Sequence, residues 1–347
     1  MISENTVLTI DLHDLVLALS EALGLVGGKI VNHGKRVAWL ALNLAEDLQL
    51  SPTEFDELRT AALLHDAGVS RTKIHEKLRQ MDWEGAMEHC QHGATLLKSF
   101  PPLTRAAQII LYHHTKWPDL ARMDIDPRIA LLANLIFLAD RIDVQINWDI
   151  ELLLNRDRIV AQIESVAESF FHPELLKSFH RKAMVEIFWL SLHPRHLPTA
   201  LSGFKPLSAL SLDLDGLQKL AHVLATIVDN KSSFTRYHSE GVSRLCEFFA
   251  QRLGMPDPTI KKLGIAGLLH DVGKLAIPDE ILDKPSALTD DEFQIVKCHP
   301  FETYYILSGL PALKDSRDWA SYHHEKADGS GYAFRYRAKA YRLEHLL

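Results

Sequence analysis

"LLHDVGK" at residues 268–274 repeats, almost unchanged, a stretch met earlier in the same chain, "LLHDAG" at 63–68. An adjacent His–Asp pair at the end of an apolar run occurs twice, and only the second copy ends in lysine. The repeat spreads outward from this pair. "LTIDLHDLVLALSEAL" at 8–23 matches "LSLDLDGLQKLAHVLA" at 210–225, and "NHGKRVAWLALNLAEDLQL" at 32–50 matches "YHSEGVSRLCEFFAQRLGM" at 237–255. His33, His65 and Asp66 pair with His238, His270 and Asp271, each 205 residues on, and His89, His113 and His114 with His299, His323 and His324, each 210 residues on. Five extra residues in the second copy explain the change of offset, and loops absorb such insertions. A spacing of 24 residues to the following His–His pair selects His89 over His92 as the counterpart of His299.

Two tandem copies of one domain follow, and both read as helical. "EFDELRTAALLHDAG" and "TIKKLGIAGLLHDVG" carry apolar residues at three- and four-residue spacing and stop at a glycine suited to a helix C-cap. Thr289 and Glu292 occupy capping-box positions, and Pro300 is expected to kink or end that helix just after His299. "RIALLANLIFLADRIDVQI" at 128–146 reads as a long apolar helix containing Asp140. Alternating strand patterns are nearly absent, so the fold class is all-α. Residues 150–192 read as two or three helices and 193–211 as the junction, which divides the chain into 1–200 and 201–347.

Composition narrows the function. A chain of 347 residues, 47% hydrophobic and 24% charged, has room for two cores and reads as globular. A net charge of −7 argues against DNA or an anionic membrane surface as partner. Three scattered cysteines suit a reducing cytoplasm; no apolar stretch is long enough to span a bilayer and no secretory signal is visible. The cytoplasm is therefore the expected location. Tandem helical domains joined by apolar helices also suit a homodimer.

The chemistry lies in the histidines. A carboxylate at the C-terminal end of a helix faces the negative pole of the helix dipole, and a bound cation would compensate. Imidazole and carboxylate donors without thiolate favour iron, manganese, zinc or nickel. A carboxylate shared between two ions suits attack on a phosphodiester, because the ions acidify water and stabilise the developing charge. One buried histidine is usually a hydrogen-bonded core residue. Six positions repeated in the same order point to ligation instead.

With "HSEGVSRL", "LLHDVGKLAIPDEILDKPSALTDDEF" and "YHHEKADGSGYA", the second copy closely resembles the HD-GYP domain of bacterial cyclic-dinucleotide phosphodiesterases, over about 210–334. The first, over about 8–147, resembles a plain HD domain without the GYP element. The resemblance implies tandem HD-type helical domains. It implies hydrolysis of cyclic di-GMP or cyclic GMP-AMP, 3′,3′-linked, to a linear dinucleotide by attack of a metal-bound hydroxide. His238, His270, Asp271, His299, His323 and His324 would hold the ions, with Asp271 bridging. Lys274 would hold a substrate phosphate beside Asp271, while Asp328, Gly329, Gly331 and Tyr332 would shape the substrate pocket or a docking surface. Two divalent ions are expected, iron or manganese before zinc, nickel or magnesium. Some family members place a glutamate four residues before the first histidine for a third ion; Phe234 and Lys29 stand there. A signalling partner such as a diguanylate cyclase domain is also implied.

The two copies differ in instructive ways. His33, His65, Asp66, His89, His113, His114 and Asp140 give the first copy a full ligand set, a possible second metal site, yet Val69 stands where Lys274 stands. In the second copy Ala333 replaces the proline of GYP, and the counterpart of Asp140 would fall past Leu347, so this copy is expected to be truncated at its C-terminus. Those departures motivate an alternative, a non-catalytic cyclic-dinucleotide receptor or signalling scaffold. A nucleotide phosphohydrolase at the first site is a third reading.

Overall fold

A computed structural model describes residues 9–26, 32–78, 85–208, 210–232 and 237–336. Positions Lys29 and Phe234 and residues 337–347 lie outside the described residues. The chain is helical throughout, apart from one antiparallel pairing of Ile10–Asp11 with Ser211–Leu212 among the described residues. Two compact units result. One comprises Lys29–Val69 and Lys73–Ser208; the other comprises Met1–Gly28, Ser70–Thr72 and Ala209–Leu347. The division therefore differs from the expected boundary at its start. The opening segment belongs with the second copy, because Ile10 pairs with Leu212 and Leu12 N–H donates to Leu210 O (2.8 Å). Both partners come from the starts of the two repeats.

In the N-terminal unit, helices His33–Leu44 and Thr104–Leu111 pack on Pro127–Val144, while Pro52–Leu63 packs on both of these and Ala86–Lys98 on Thr104–Leu111. The last of these is buried over most of its circumference, as its apolar sequence requires. Ser51 and Glu54 close a capping box at the start of Pro52–Leu63. Residues 150–192 form helices Leu152–Glu164, Ala167–Phe170, Pro173–Ala183 and Glu186–Leu190, more and shorter than the sequence suggests.

The C-terminal unit repeats the plan with helices His238–Arg252, Asp257–Leu269, Asp290–Val296, His299–Ser308 and Lys314–Ser321. Thr289 and Glu292 form the expected capping box. Pro300 behaves otherwise than expected. The helix ends at Val296, a new one starts at His299, and Pro300 occupies its first turn, where a missing N–H costs nothing. The motif glycines also have another role than a C-cap. A Cβ on Gly273 would sit 2.0 Å from His299 O, and one on Gly68 2.0 Å from His89 O. Each glycine lets the His–Asp turn touch the backbone that carries the next ligand.

Candidate metal centres

Each His–Asp pair lies where its helix stops, at the meeting point of four helical segments. In the C-terminal unit the Asp271 carboxylate splits its oxygens between two groups of imidazoles. Oδ2 faces His238 Nε2 (3.5 Å) and His270 Nε2 (3.0 Å); Oδ1 faces His299 Nε2 (3.6 Å) and His323 Nε2 (3.7 Å). His238 and His270 approach each other at 3.3 Å through Nε2, and His299 and His323 at 3.2 Å. His324 joins the second group, its ring 5.0 Å from that of His299.

The N-terminal unit reproduces this arrangement. Asp66 Oδ2 faces His33 (3.6 Å) and His65 (3.5 Å), and its Oδ1 faces His89 (3.7 Å). The Nε2 pairs His33–His65 and His89–His113 are 3.2 and 3.3 Å apart. Asp140 Oδ1 adds a further oxygen 3.3 Å from His33 Nε2, and His114 Nε2 lies 4.0 Å from Asp140 Oδ2. The six repeated positions and Asp140 are thus all brought together.

Tautomers tell what these rings can do. His270, His299 and His323 donate Nδ1–H to the carbonyls of Gly267, Val296 and Ala320, each at 2.7 Å. His65 and His113 donate likewise to Ala62 O and Ile110 O. The proton is then on Nδ1, so the Nε2 lone pairs of neighbouring rings point at one another. Two acceptors 3.2 Å apart repel unless a proton or cation lies between them. Burial keeps several of the rings neutral: it pushes His299 and His89 down to about 4 and His113 to about 3. His114, His323 and His324 are lowered for the same reason. Neutral imidazoles whose far nitrogens are anchored to carbonyls are pre-set metal ligands.

The carboxylates agree. Burial opposes ionisation of Asp271, yet the His238 and His270 rings against its Oδ2 and the charge of Lys274 hold it far below the usual carboxylate range. Its Oδ1 is buried without a hydrogen-bond partner, the kind of orphan a cation satisfies. Burial also works against charging His33, but bonds to Asp140 and Asp143 outweigh it and raise that imidazole to about 10. A proton there supplies the positive charge that the buried carboxylates require, and a divalent cation would supply the same. The donor sets fit divalent ions in both units.

Several contributors escaped the sequence reading. His33 Nδ1–H donates to Asp143 Oδ2 (2.7 Å), and Asp143 in turn takes two bonds from the buried Arg36, at 2.5 and 2.9 Å. Arg141 fixes Asp140 Oδ2 at 2.5 Å, which turns Oδ1 toward the histidines. Asp143 lies one helical turn beyond Asp140, a spacing that places both on one face, and was the available signal. Cys90 borders the first centre too, but burial raises its thiol, which donates to Ala86 O and packs 3.4 Å from His113 Nδ1. It is a neutral neighbour.

Around the second centre, Lys274 Nζ donates to Asp271 Oδ2 at 2.6 Å; Val69, its counterpart, is buried in the core of its own unit. Tyr332 stacks on His324 with centroids 4.7 Å apart. Gly331 lies against the turn at 324–326, where a Cβ would meet Glu325 Cα at 2.5 Å, and Gly329 has φ +79°. Glu325 fastens the loop by accepting the N–H groups of Phe334, Arg335 and Tyr336. Asp328 is exposed and accepts Ser330 N–H (2.8 Å), a local turn bond away from the ligands. Asn32 and Tyr237, each directly before the first histidine, both adopt left-handed φ, +70° and +64°. A strained residue at the same place in both copies orients the first ligand of each.

Two helical units, each closing a ring of imidazoles around a His–Asp carboxylate, define a tandem HD-domain protein. Models of the HD domain match residues 30–145 and 222–340. The 3′3′-cGAMP-specific phosphodiesterase 1 of Vibrio cholerae is 32% identical over 96% of this chain and 79% of its own length. The cyclic di-GMP phosphodiesterase PA4108 of Pseudomonas aeruginosa is 42% identical over 33% of this chain and 28% of its own. A crystal structure of the Vibrio cholerae cyclic GMP-AMP specific phosphodiesterase V-cGAP3 shares the fold. Its TM-score is 0.69 at 23% identity, over 91% of this chain and 88% of that one. The chain belongs to the HD-GYP family of cyclic-dinucleotide phosphodiesterases. Among the described residues, no helix is long and apolar enough to cross a membrane.

Proposed function

We propose that the C-terminal unit is the catalytic one and opens a 3′,3′-linked cyclic dinucleotide to its linear form, with cyclic GMP-AMP preferred over cyclic di-GMP. The carrying observation is the split of Asp271 between two imidazole groups with Lys274 beside it. The base preference draws on the relative named for 3′3′-cGAMP, which matches nearly the whole chain, whereas the one named for cyclic di-GMP matches a third of it.

His238, His270, Asp271, His299, His323 and His324 would hold two divalent ions, iron or manganese by donor type. Such ions acidify water and neutralise phosphate charge. The chain's own residues do the rest. Lys274 is half-buried beside the centre, a flexible point charge able to leave Asp271 for a phosphate oxygen. Tyr332, held against His324 by the loop that Gly331 and Glu325 fasten, offers a ring face to a base. Water adds to phosphorus, one P–O ester bond breaks, and the departing ribose oxygen takes up a proton.

The test is product analysis with full-length protein reconstituted with manganese(II) or iron(II), given each dinucleotide separately. Linear product from cyclic GMP-AMP, lost in Asp271→Ala, is the expected result. Tight binding with no product from any dinucleotide would leave the receptor reading in its place.

A further inference from the structure

We infer that the N-terminal unit carries a nucleotide-binding groove on the side of its helices turned away from His89. Its ligand is a purine nucleoside monophosphate, free or as half of a linear dinucleotide. The inference goes beyond the phosphodiesterase reading and does not depend on it.

The groove runs between helices Ala86–Lys98 and Thr104–Leu111 and holds about 540 Å³, within the range of small-molecule sites. On the first helix Gln91, Ala94, Thr95 and Lys98 follow one another at three- and four-residue spacing and so share a face. That face lies roughly 180° around the helix axis from His89. Ala107, Gln108 and Leu111 form the facing wall on the second helix, and Ile125, from the loop after the His113–His114 pair, borders the groove.

The first argument is a comparison within the chain. The register that pairs the histidines also pairs Ala94 with Tyr304, Ala107 with Arg317 and Tyr112 with Tyr322. In the C-terminal unit larger side chains fill the corresponding space. Arg317 lies over the Tyr304 ring at 4.4 Å, and Phe334 packs on Tyr304, Tyr322 and Phe301 with centroids 5.3, 5.1 and 6.3 Å away. Two alanines leave this place open in the first copy, while Tyr112 keeps one of the rings. A slot filled by a phenyl ring in one copy suits a planar ring in the other.

The second argument is the chemistry of the lip. Gln91 and Gln108 bring one amide from each helix, able to donate and to accept as the edge of a base requires. Arg105 is engaged by Asp126 (2.5 Å) and Glu57 (3.5 Å). Lys98 is therefore the cation that the groove offers a phosphate, a flexible point charge suited to it. A hydrocarbon would strand the amides and the ammonium group, and a bare phosphate would leave the apolar walls unused. A nucleotide uses all three.

The experiment is isothermal titration calorimetry of the full chain with GMP, AMP, linear GMP-AMP dinucleotide and inorganic phosphate, repeated on Lys98→Glu, Ala94→Tyr and Asp271→Asn. GMP or AMP should bind to wild type and equally to Asp271→Asn, about tenfold or more weakly to Lys98→Glu, and not to Ala94→Tyr, which puts the other copy's ring in the slot. Lys98 is exposed, so its substitution tests the site even if Ala94→Tyr fails to fold. A linear dinucleotide that binds as tightly as GMP or AMP would support the product as source, and a preference for the mononucleotide would support the free nucleotide. Absence of binding by both mononucleotides, phosphate binding as tightly as they do, or affinity unchanged in Lys98→Glu would each overturn the proposal. So would binding lost in Asp271→Asn, which would place the nucleotide at the other centre. No readout involves hydrolysis, so failure of the phosphodiesterase reading would leave this result standing.

Discussion

The two centres share a ring of histidines and differ in what surrounds it. Around Asp271 lie an exposed His238, a lysine and a loop with Tyr332 stacked on a ligand. Around Asp66 lie two buried arginines, a buried valine and no lysine at the motif's end. Both copies keep the same histidines and aspartate, and the residues around them differ: Arg36 and Arg141 brace one ring, while Lys274 and the loop carrying Tyr332 flank the other. What a metal centre does is therefore set outside its ligands.

The sharpest way to break this comparison is to remove the brace. Arg36→Met leaves the Asp143 carboxylate buried with a single partner, and breaking a buried ion pair in that way costs about 3–5 kcal/mol. Gly241→Ala, at the matching position, meets nothing within 4 Å and removes a helix-interior glycine. It should stabilise by about 0.5–1 kcal/mol. Urea unfolding of the two variants checks both signs; equal effects would mean that Arg36 braces nothing.

The lysine is the next point of attack. Lys274→Ala should lower kcat by about 10²–10³ while manganese content stays unchanged, the loss typical of one preorganised charge at a developing oxyanion. Val69→Lys should create no activity in an Asp271→Ala background, because position 69 is buried and a lysine there has no open path to a bound phosphate. Steady-state kinetics and metal analysis on the same preparations decide the matter. Activity gained by Val69→Lys would show that the lysine alone separates the two centres.

How much of this was legible before the structure follows from the repeat. Every ligand pair announced itself twice, and the register of the two copies even chose His89 over His92. Arg36 was not legible, because Gly241 replaces it in the repeat; Asp143 had only its helical spacing from Asp140 as a signal, and Arg141 had none. The glycine of the HD motif was visible but misread. Its function depends on how near His89 and His299 pass, a distance set by packing between elements remote in sequence. Pro300 was misplaced for a related reason: proline is compatible with the end of one helix and the first turn of the next, and sequence alone does not choose. The pairing of Ile10 with Leu212 spans most of the chain and leaves no local trace.

The smallest effect expected concerns acid stability. Arg128 and the Ser51 backbone hold Glu54, in the capping box of the helix that leads to His65, down to about 2 from an ordinary 4.5. A carboxyl lowered in the folded state stabilises fully above its unfolded value, and that contribution fades as pH falls from about 4.5 toward 2. The side chain is half-buried at the surface and still reached by solvent, so the contribution is worth less than about 1 kcal/mol. Glu54→Gln should lower the melting temperature slightly at pH 6, and the gap from wild type should shrink by pH 3. The C-terminal unit has a capping box at a different place, Thr289 and Glu292 at the start of Asp290–Val296, where Lys284 holds the carboxyl likewise lowered. Glu292→Gln should show the same convergence, because the effect belongs to a capped carboxyl beside a cation and not to a position in the repeat. A gap from wild type that persisted at pH 3 in either variant would mean that the carboxyl's charge contributes nothing to its cap.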